Sequence, residues 1–320
     1  MLRHKLDIKS IYTITPETCI SSEEIIKGVE EEDYYRESYN RFGVLNRYIS
    51  KPNESFENLA SEAINCLFND ENIKPDEIRC LVVVSQTTSS RLPNAGHMIQ
   101  KLTGLSDDCM IFDVNDGCNG YINGMALISK FLDQGDIGLL VCGDLMSRFT
   151  TKDELSNKLL MGDAISITSV EQLSTNNGCL KIHNDGSNCD SIRLEKSGNK
   201  YLFKMDGFKV FSFTMSKIPK LIKSFTNDSN EKFDVYVLHQ ANKILLENIR
   251  KKLSIEEGMM PLSLENYGNT GPASIPVTLS STKIKKNAKA LLVGFGAGLS
   301  WGAISINKLN FNAKIISKKI

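Results

Sequence analysis

Three apolar landmarks occur twice, in the same order, and this repetition constrains the fold more than any other feature of the chain. VVVSQ ends at Gln86 and VYVLHQ ends at Gln240, 154 positions later (240 − 86). LLV starts at 139 and again at 291, 152 positions later (291 − 139). AISI starts at 164 and again at 303, 139 positions later (303 − 164). The last spacing is shorter because the first copy carries an excursion from Asp144 to Met161. Such self-similarity predicts two copies of one supersecondary unit. The boundary falls in the polar, turn-rich EQLSTNNG, giving halves 1–172 and 173–320. A functional site is then expected where the halves meet.

Each copy reads as α/β. Residues 78–86 (IRCLVVVSQ), 110–114 (MIFDV), the run starting at 139 and residues 164–168 (AISIT) are expected strands. Uninterrupted apolar strands of this kind imply sheets covered on both faces by helices. Residues 56–68 carry Leu59, Ala60, Ala63, Ile64 and Leu67 on one helical stripe, and residues 121–132 read as a mostly apolar helix. Ala290 to Asn307 is uncharged and reaches the lower limit for a membrane span. Its four glycines predict instead two buried strands joined by a turn.

Composition narrows the function classes. Hydrophobic residues make up 41% and charged residues 24% of the 320, which excludes a disordered chain. Lys+Arg and Asp+Glu are 38 each, so the basic excess of a nucleic-acid binder is absent. The eight cysteines form no CxxC pair and no zinc-like cluster, so no metal is expected. Several lie in apolar runs and read as reduced core residues of a cytoplasmic protein. MLRHKLDIKS offers no signal-peptide stretch.

Four segments carry residues capable of chemistry. In FDVNDGCNGYINGMALISKFL, Cys118 follows a strand and precedes a helix. The N–H groups of a helix N-terminus favour an anion and hence the nucleophilic thiolate. Asp113 and Asp116 oppose this if they point inward, and a buried inert thiol is the plain alternative. In YVLHQANKILL, His239 ends an apolar strand, where α/β sheets present ligands' crevices; locally satisfied hydrogen bonds are the alternative. In ENYGNTGPASIPVTL, Asn269 can donate to an oxyanion or serve as a turn residue. In LLVGFGAGLSWG, small residues permit close backbone approach to a ligand, but the spacing is no nucleotide-binding fingerprint.

Taken together, DVNDGCNGY, LHQAN, YGNTGPASIP and VGFGAGLSWG resemble the β-ketoacyl-acyl-carrier-protein synthase III family, within the thiolase superfamily of condensing enzymes. The resemblance extends over nearly the whole chain. It implies a duplicated five-layered α-β-α-β-α fold. It implies that Cys118 takes an acyl group from an acyl-CoA or acyl-carrier-protein thioester. His239 and Asn269 would stabilise the enolate formed as a malonyl thioester loses carbon dioxide. The N–H groups of Cys118 and Ala297 would form the oxyanion hole. No bound cofactor is implied, and the chain would work as a homodimer. Other readings on the same scaffold are transfer of the acyl group to an alcohol or amine, and a silent partner subunit. A papain-like hydrolase uses the same residue types but not this strand pattern.

Departures from the family pattern carry their own expectations. Glu37 and Leu155 stand where an aromatic residue and an arginine normally clamp the adenine of coenzyme A, which points to a carrier-protein donor or to a coenzyme A ester held differently. Asn119 replaces a small residue next to the nucleophile, and either contacts substrate or caps the helix. Leu92 is expected to reach the partner's acyl pocket, and Gly296 to approach substrate. Lys243 and Arg250 lie on a basic helix face suited to the acidic carrier protein, or simply to the helix dipole.

Overall fold

A computed structural model describes residues 1–151, 154–198 and 200–317. One sheet runs in the order β15 (Asn312–Ile316), β2 (Leu6–Ile14), β8 (Ala164–Gln172), β7 (Ile137–Asp144), β5 (Ile78–Val84), β6 (Met110–Val114). The other runs β1 (Leu2–His4), β9 (Gly178–Asn184), β14 (Ser300–Leu309), β13 (Ala288–Gly296), β12 (Val235–Leu238). Two ribbons stand apart: β3 (Thr18–Ser21) with β4 (Asn46–Ile49), and β10 (Ile192–Ser197) with β11 (Lys200–Met205). The helices are α1 (Ser22–Ile26), α2 (Glu32–Phe42), α3 (Phe56–Glu71), α4 (Ala95–Thr103), α5 (Gly120–Ile128), α6 (Leu155–Leu160), α7 (Gly207–Ser229), α8 (Lys243–Leu253), α9 (Leu264–Tyr267) and α10 (Ser274–Ser281).

The repeat in the sequence is a repeat in strand pairing. β2 pairs antiparallel with β8, β8 antiparallel with β7, and β7 parallel with β5. In the second sheet β9, β14, β13 and β12 follow with the same three senses. The expected boundary at 172 and 173 lies between β8 and β9. The terminal strands cross it: β1 joins the second sheet through β9, and β15 joins the first through β2.

Side-chain alternation builds the layers. Val82 and Val84 of β5 face inward with Leu140 and Cys142 of β7, and meet Tyr121, Ile122 and Met125 of α5. Ile275 and Leu279 of α10 join the same core, closed from the other side by Leu292 and Ile304. Leu81, Val83, Val141 and Ile165 face outward against α3 and α4. Leu291 and Val293 face outward against Ile218 and Ile222 of α7 and Leu245 and Ile249 of α8. The result is helices, sheet, helices, sheet, helices, with α5 and α10 in the middle. Each fully buried Ile, Leu or Val contributes about 1.5–3 kcal/mol.

The uncharged stretch at 290–307 forms β13 and β14, paired antiparallel around a glycine turn. No helix among the described residues is long and apolar enough to cross a membrane. Two expected elements end early. α5 stops at Ile128 rather than 132, because Lys130 and Phe131 donate to the carbonyls three residues back and tighten the chain into turns. β5 stops at Val84, because the Ser85 hydroxyl and the Gln86 N–H turn to the Asp144 carboxylate.

Candidate active site

Cys118, more than a hundred residues away in the chain, meets His239 and Asn269 on one cavity of about 390 Å³. Cys118 arrives on the turn between β6 and the central helix α5. His239 follows β12, its N–H donating to the Val293 carbonyl at 2.8 Å. Asn269 follows α9 and is stitched to the first half of the chain. Its N–H donates to Leu160 O at 2.9 Å, and its carbonyl accepts from Gly162 N at 3.0 Å. Away from these three, the wall is mostly apolar, with Met146, Leu160, Val210, Phe211 and Phe213. A thiol at the end of an apolar passage suits a flexible acyl or thioester arm.

Phe295, Gly296 and Ala297 complete the floor. Gly296 makes room for the nucleophile: a Cβ there would lie 2.6 Å from Cys118 Cβ and 3.1 Å from Sγ. No residue larger than glycine fits with Cys118 where it is.

The histidine is buried, with 2% of its surface exposed. Nδ1 lies 2.7 Å from the Ser274 hydroxyl. Donation from Ser274 to Nδ1 corresponds to the tautomer with its proton on Nε2. Phe295 packs edge-on against the ring, with centroids 5.2 Å apart. Burial lowers the imidazole to about 3, outweighing a hydrogen bond with the Gly271 backbone. His239 is therefore neutral at pH 7, a donor rather than a cation. The Asn269 amide is oriented from both ends: Oδ1 accepts from Gly271 N at 3.0 Å, and Nδ2 donates to Ala241 O at 3.4 Å. One amide proton remains for a ligand.

The thiol differs from the expectation of a thiolate favoured by the helix N-terminus. Burial, then Asp144, then Asp116 push Cys118 up to about 12, against a smaller lowering by its own backbone N–H. Desolvation outweighs that single hydrogen bond. Asp113 is directed to the start of α4, accepting from the Ala95 and Gly96 N–H groups. Asp116 accepts from Gly117 N and Asn123 Nδ2.

Several other expected residues lie elsewhere. Asn119 is fully buried and is not in the cavity wall. Its Nδ2 donates to Ser300 Oγ at 2.7 Å, towards β14, which removes it from substrate contact. Nor does its side chain cap the helix, although it occupies the N-cap position. Leu92 is 91% exposed, outside the cavity of its own chain. Lys243 is exposed, while Arg250 is held by Glu247 at 2.7 Å and by the Ile255 carbonyl. Glu37 pairs with Arg41 one turn along α2. Leu155 is buried against Ile26, Tyr39 and Leu159. Neither position offers a nucleotide clamp. Sequence reading missed Ser274 and Asp144; the acid closing the apolar run LLVCGD was the available signal, since buried strand ends in α/β sheets face ligand crevices.

With this geometry in hand, known proteins can be set beside it. Residues 112–186 match the family model described as 3-oxoacyl-[acyl-carrier-protein (ACP)] synthase III, and residues 226–308 match its C-terminal counterpart. The β-ketoacyl-[acyl-carrier-protein] synthase III of Staphylococcus aureus (strain Newman) is 30% identical over 82% of this chain and 87% of its own. That of Lactococcus lactis subsp. lactis (strain IL1403) is 27% identical over 94% of this chain and 98% of its own. Among solved structures, a 3-oxoacyl-(acyl-carrier protein) synthase from Burkholderia xenovorans LB400 superposes with a TM-score of 0.92 at 24% identity, covering 99% of this chain and 98% of that one. The fold, the cavity and these relatives agree: the chain belongs to the 3-oxoacyl-[acyl-carrier-protein] synthase III family of thiolase-fold condensing acyltransferases.

Proposed function

We propose that Cys118 accepts an acyl group from a thioester and that His239 and Asn269 activate a malonyl-carrier-protein thioester for condensation onto it. The observation that carries this reading is the meeting of all three side chains on one cavity. Neutral His239 and the remaining Asn269 amide proton are two uncharged donors for the oxygen on which negative charge grows as carbon dioxide leaves. The enolate then attacks the acyl-Cys carbonyl, giving a β-ketoacyl product. The N–H groups of Cys118 and Ala297 serve the tetrahedral oxyanion. Each step uses this chain's own residues and substrate atoms, so no metal or redox cofactor takes part. The alternatives of an alcohol or amine acceptor and of a silent subunit are not favoured, because the matched relatives are named as ketoacyl synthases.

The acyl donor is a carrier-protein thioester in this reading. Glu37 is tied to Arg41, and Leu155 is buried, so the adenine of coenzyme A lacks its usual stacking partners. Lys243 at the exposed start of α8, next to Asn242 of the cavity wall, is the cation assigned to an acidic carrier. The chain works in the cytoplasm as a homodimer. Support for the dimer is the free edge of β6, the last strand of its sheet, beside exposed Leu92 and Met110. Matched acyl-CoA and acyl-carrier-protein donors decide the donor question. Loading of Cys118 should be at least tenfold faster from the carrier, and equal rates would refute that assignment.

A further inference from the structure

Gln86 is exposed, yet it lines the cavity that holds Cys118. Its other flank forms part of a second cavity, of about 680 Å³, beside the ends of β5 and β6. Among the described residues, Gln86 alone belongs to both walls. It is pinned at two points. Its N–H donates to Asp144 Oδ1 at 2.7 Å, and its Nε2 donates to Asn115 Oδ1 at 3.3 Å. The side chain thus stands between the two cavities.

This partition is close to the nucleophile. A Cβ placed on Gly117 would lie 2.9 Å from Gln86 Oε1 and 3.7 Å from Ala297 Cβ. Gly117 precedes Cys118 in the chain, and Ala297 follows Gly296, which packs on the cysteine. The carboxamide, Gly117 and Ala297 therefore close one end of the reaction cavity beside the sulfur. At about 390 Å³ that cavity is near the lower end of the roughly 300–1,000 Å³ usual for small-molecule sites. A pantetheine arm lying along Val210, Phe211 and Phe213 leaves the acyl group on Sγ with the end that Gln86 closes.

We propose, resting on the acyl-Cys118 reading given above, that Gln86 is a specificity residue of acyl loading: its side chain partitions the two cavities and confines the enzyme to short acyl groups. An acetyl or butyryl group ends before the carboxamide. An octanoyl group must push it aside.

Displacing the side chain breaks its bond to Asn115 and sets methylenes against amides left without partners, which is unfavourable. Beyond the partition, Val114, Phe149, Leu194 and Tyr201 give the second cavity an apolar side. A longer chain would find burial there once the way is open. Truncating Gln86 at Cβ removes the carboxamide and joins the two spaces.

The test compares butyryl-pantetheine with octanoyl-pantetheine as donors. Single-turnover acylation of Cys118 is followed by intact-protein mass spectrometry, and the quantity read is the ratio of the octanoyl rate to the butyryl rate. Gln86→Ala is expected to raise that ratio by about tenfold or more, the scale on which a pocket discriminates by methylenes. Gln86→Met keeps the length of the side chain and should raise it less. An unchanged ratio in Gln86→Ala, or an equal rise in both variants, overturns the role. Should the variants not fold, the unmodified enzyme decides: octanoyl loading about tenfold or more slower than butyryl is expected, and equal rates refute the partition. No adduct from either donor on unmodified Cys118 would instead overturn the acyl-Cys118 reading on which the assignment rests.

Discussion

Replacing Gly296 by alanine puts one methyl group against the nucleophile and little else. The new Cβ would sit 2.6 Å from Cys118 Cβ and 3.1 Å from Sγ. Carbon pairs settle at about 3.5–4.0 Å, so the cysteine must retreat by roughly 1 Å. A reacting atom misplaced by about 1 Å costs on the order of 10²-fold in rate, close to 2.7 kcal/mol of barrier at 1.36 kcal/mol per tenfold. Gly296 lies in β13 without a left-handed φ, so the backbone itself accepts alanine. Overpacking costs about 1–3 kcal/mol of stability, which leaves a folded domain. The assay is the single-turnover rate of Cys118 acylation, paired with a thermal melt. Gly258→Ala is the control, because a Cβ there meets nothing within 4 Å. A Gly296→Ala enzyme that loads at the unmodified rate would refute the placement of Cys118 against β13.

Three further outcomes are expected. His239→Ala should still form the acyl-enzyme but slow its discharge by malonyl-carrier protein about 10²- to 10³-fold; equal damage to both half-reactions would contradict its role. Burial holds His4 down to about 4 against an ordinary 6.5, its Nδ1 accepting from Leu6 N and its Nε2 meeting Ser305 O. This depressed base contributes stability that is complete above pH 6.5 and is lost as pH falls towards 4, about 3 kcal/mol at 1.36 kcal/mol per pH unit; His4→Gln should flatten that part of the denaturation profile, and an unchanged slope would contradict the assignment. Arg47 is fully buried with no carboxylate partner among the described residues, and its Nε is unbonded. Arg47→Met should leave stability unchanged or raise it by about 1–4 kcal/mol, whereas a loss above about 2 kcal/mol in urea denaturation would mean the guanidinium's bonds to Ser22 and Lys158 matter more than its desolvation.

Strands buried on both faces announce themselves, and so the paired LLV and AISI segments located β7, β8, β13 and β14 in advance. β1 and β15 went unread because they are short, partly exposed edge strands, and β9 because it is half-exposed although paired on both sides; the place of each depends on partners far along the chain. Cys118, His239 and Asn269 were legible as strand-end and turn residues. Their meeting was legible only through the family resemblance, since no local pattern states a contact between halves. The protonation of Cys118 was legible only in part. A helix N-terminus is visible in sequence, but the desolvation that opposes it is a property of the closed cavity. Asn119 illustrates the same limit: adjacency to the nucleophile does not say which way a side chain turns, and here it turns to Ser300.

The central claim is that one thiol carries the acyl group and two neutral donors deliver the carbon nucleophile to it. Intact-protein mass spectrometry after acyl-thioester loading, followed by malonyl-carrier protein, tests it most directly. The expected result is an acyl mass on the Cys118 peptide that disappears with release of carbon dioxide and appearance of a β-ketoacyl thioester. An adduct that persists in Cys118→Ala, or one discharged without carbon dioxide, would contradict it.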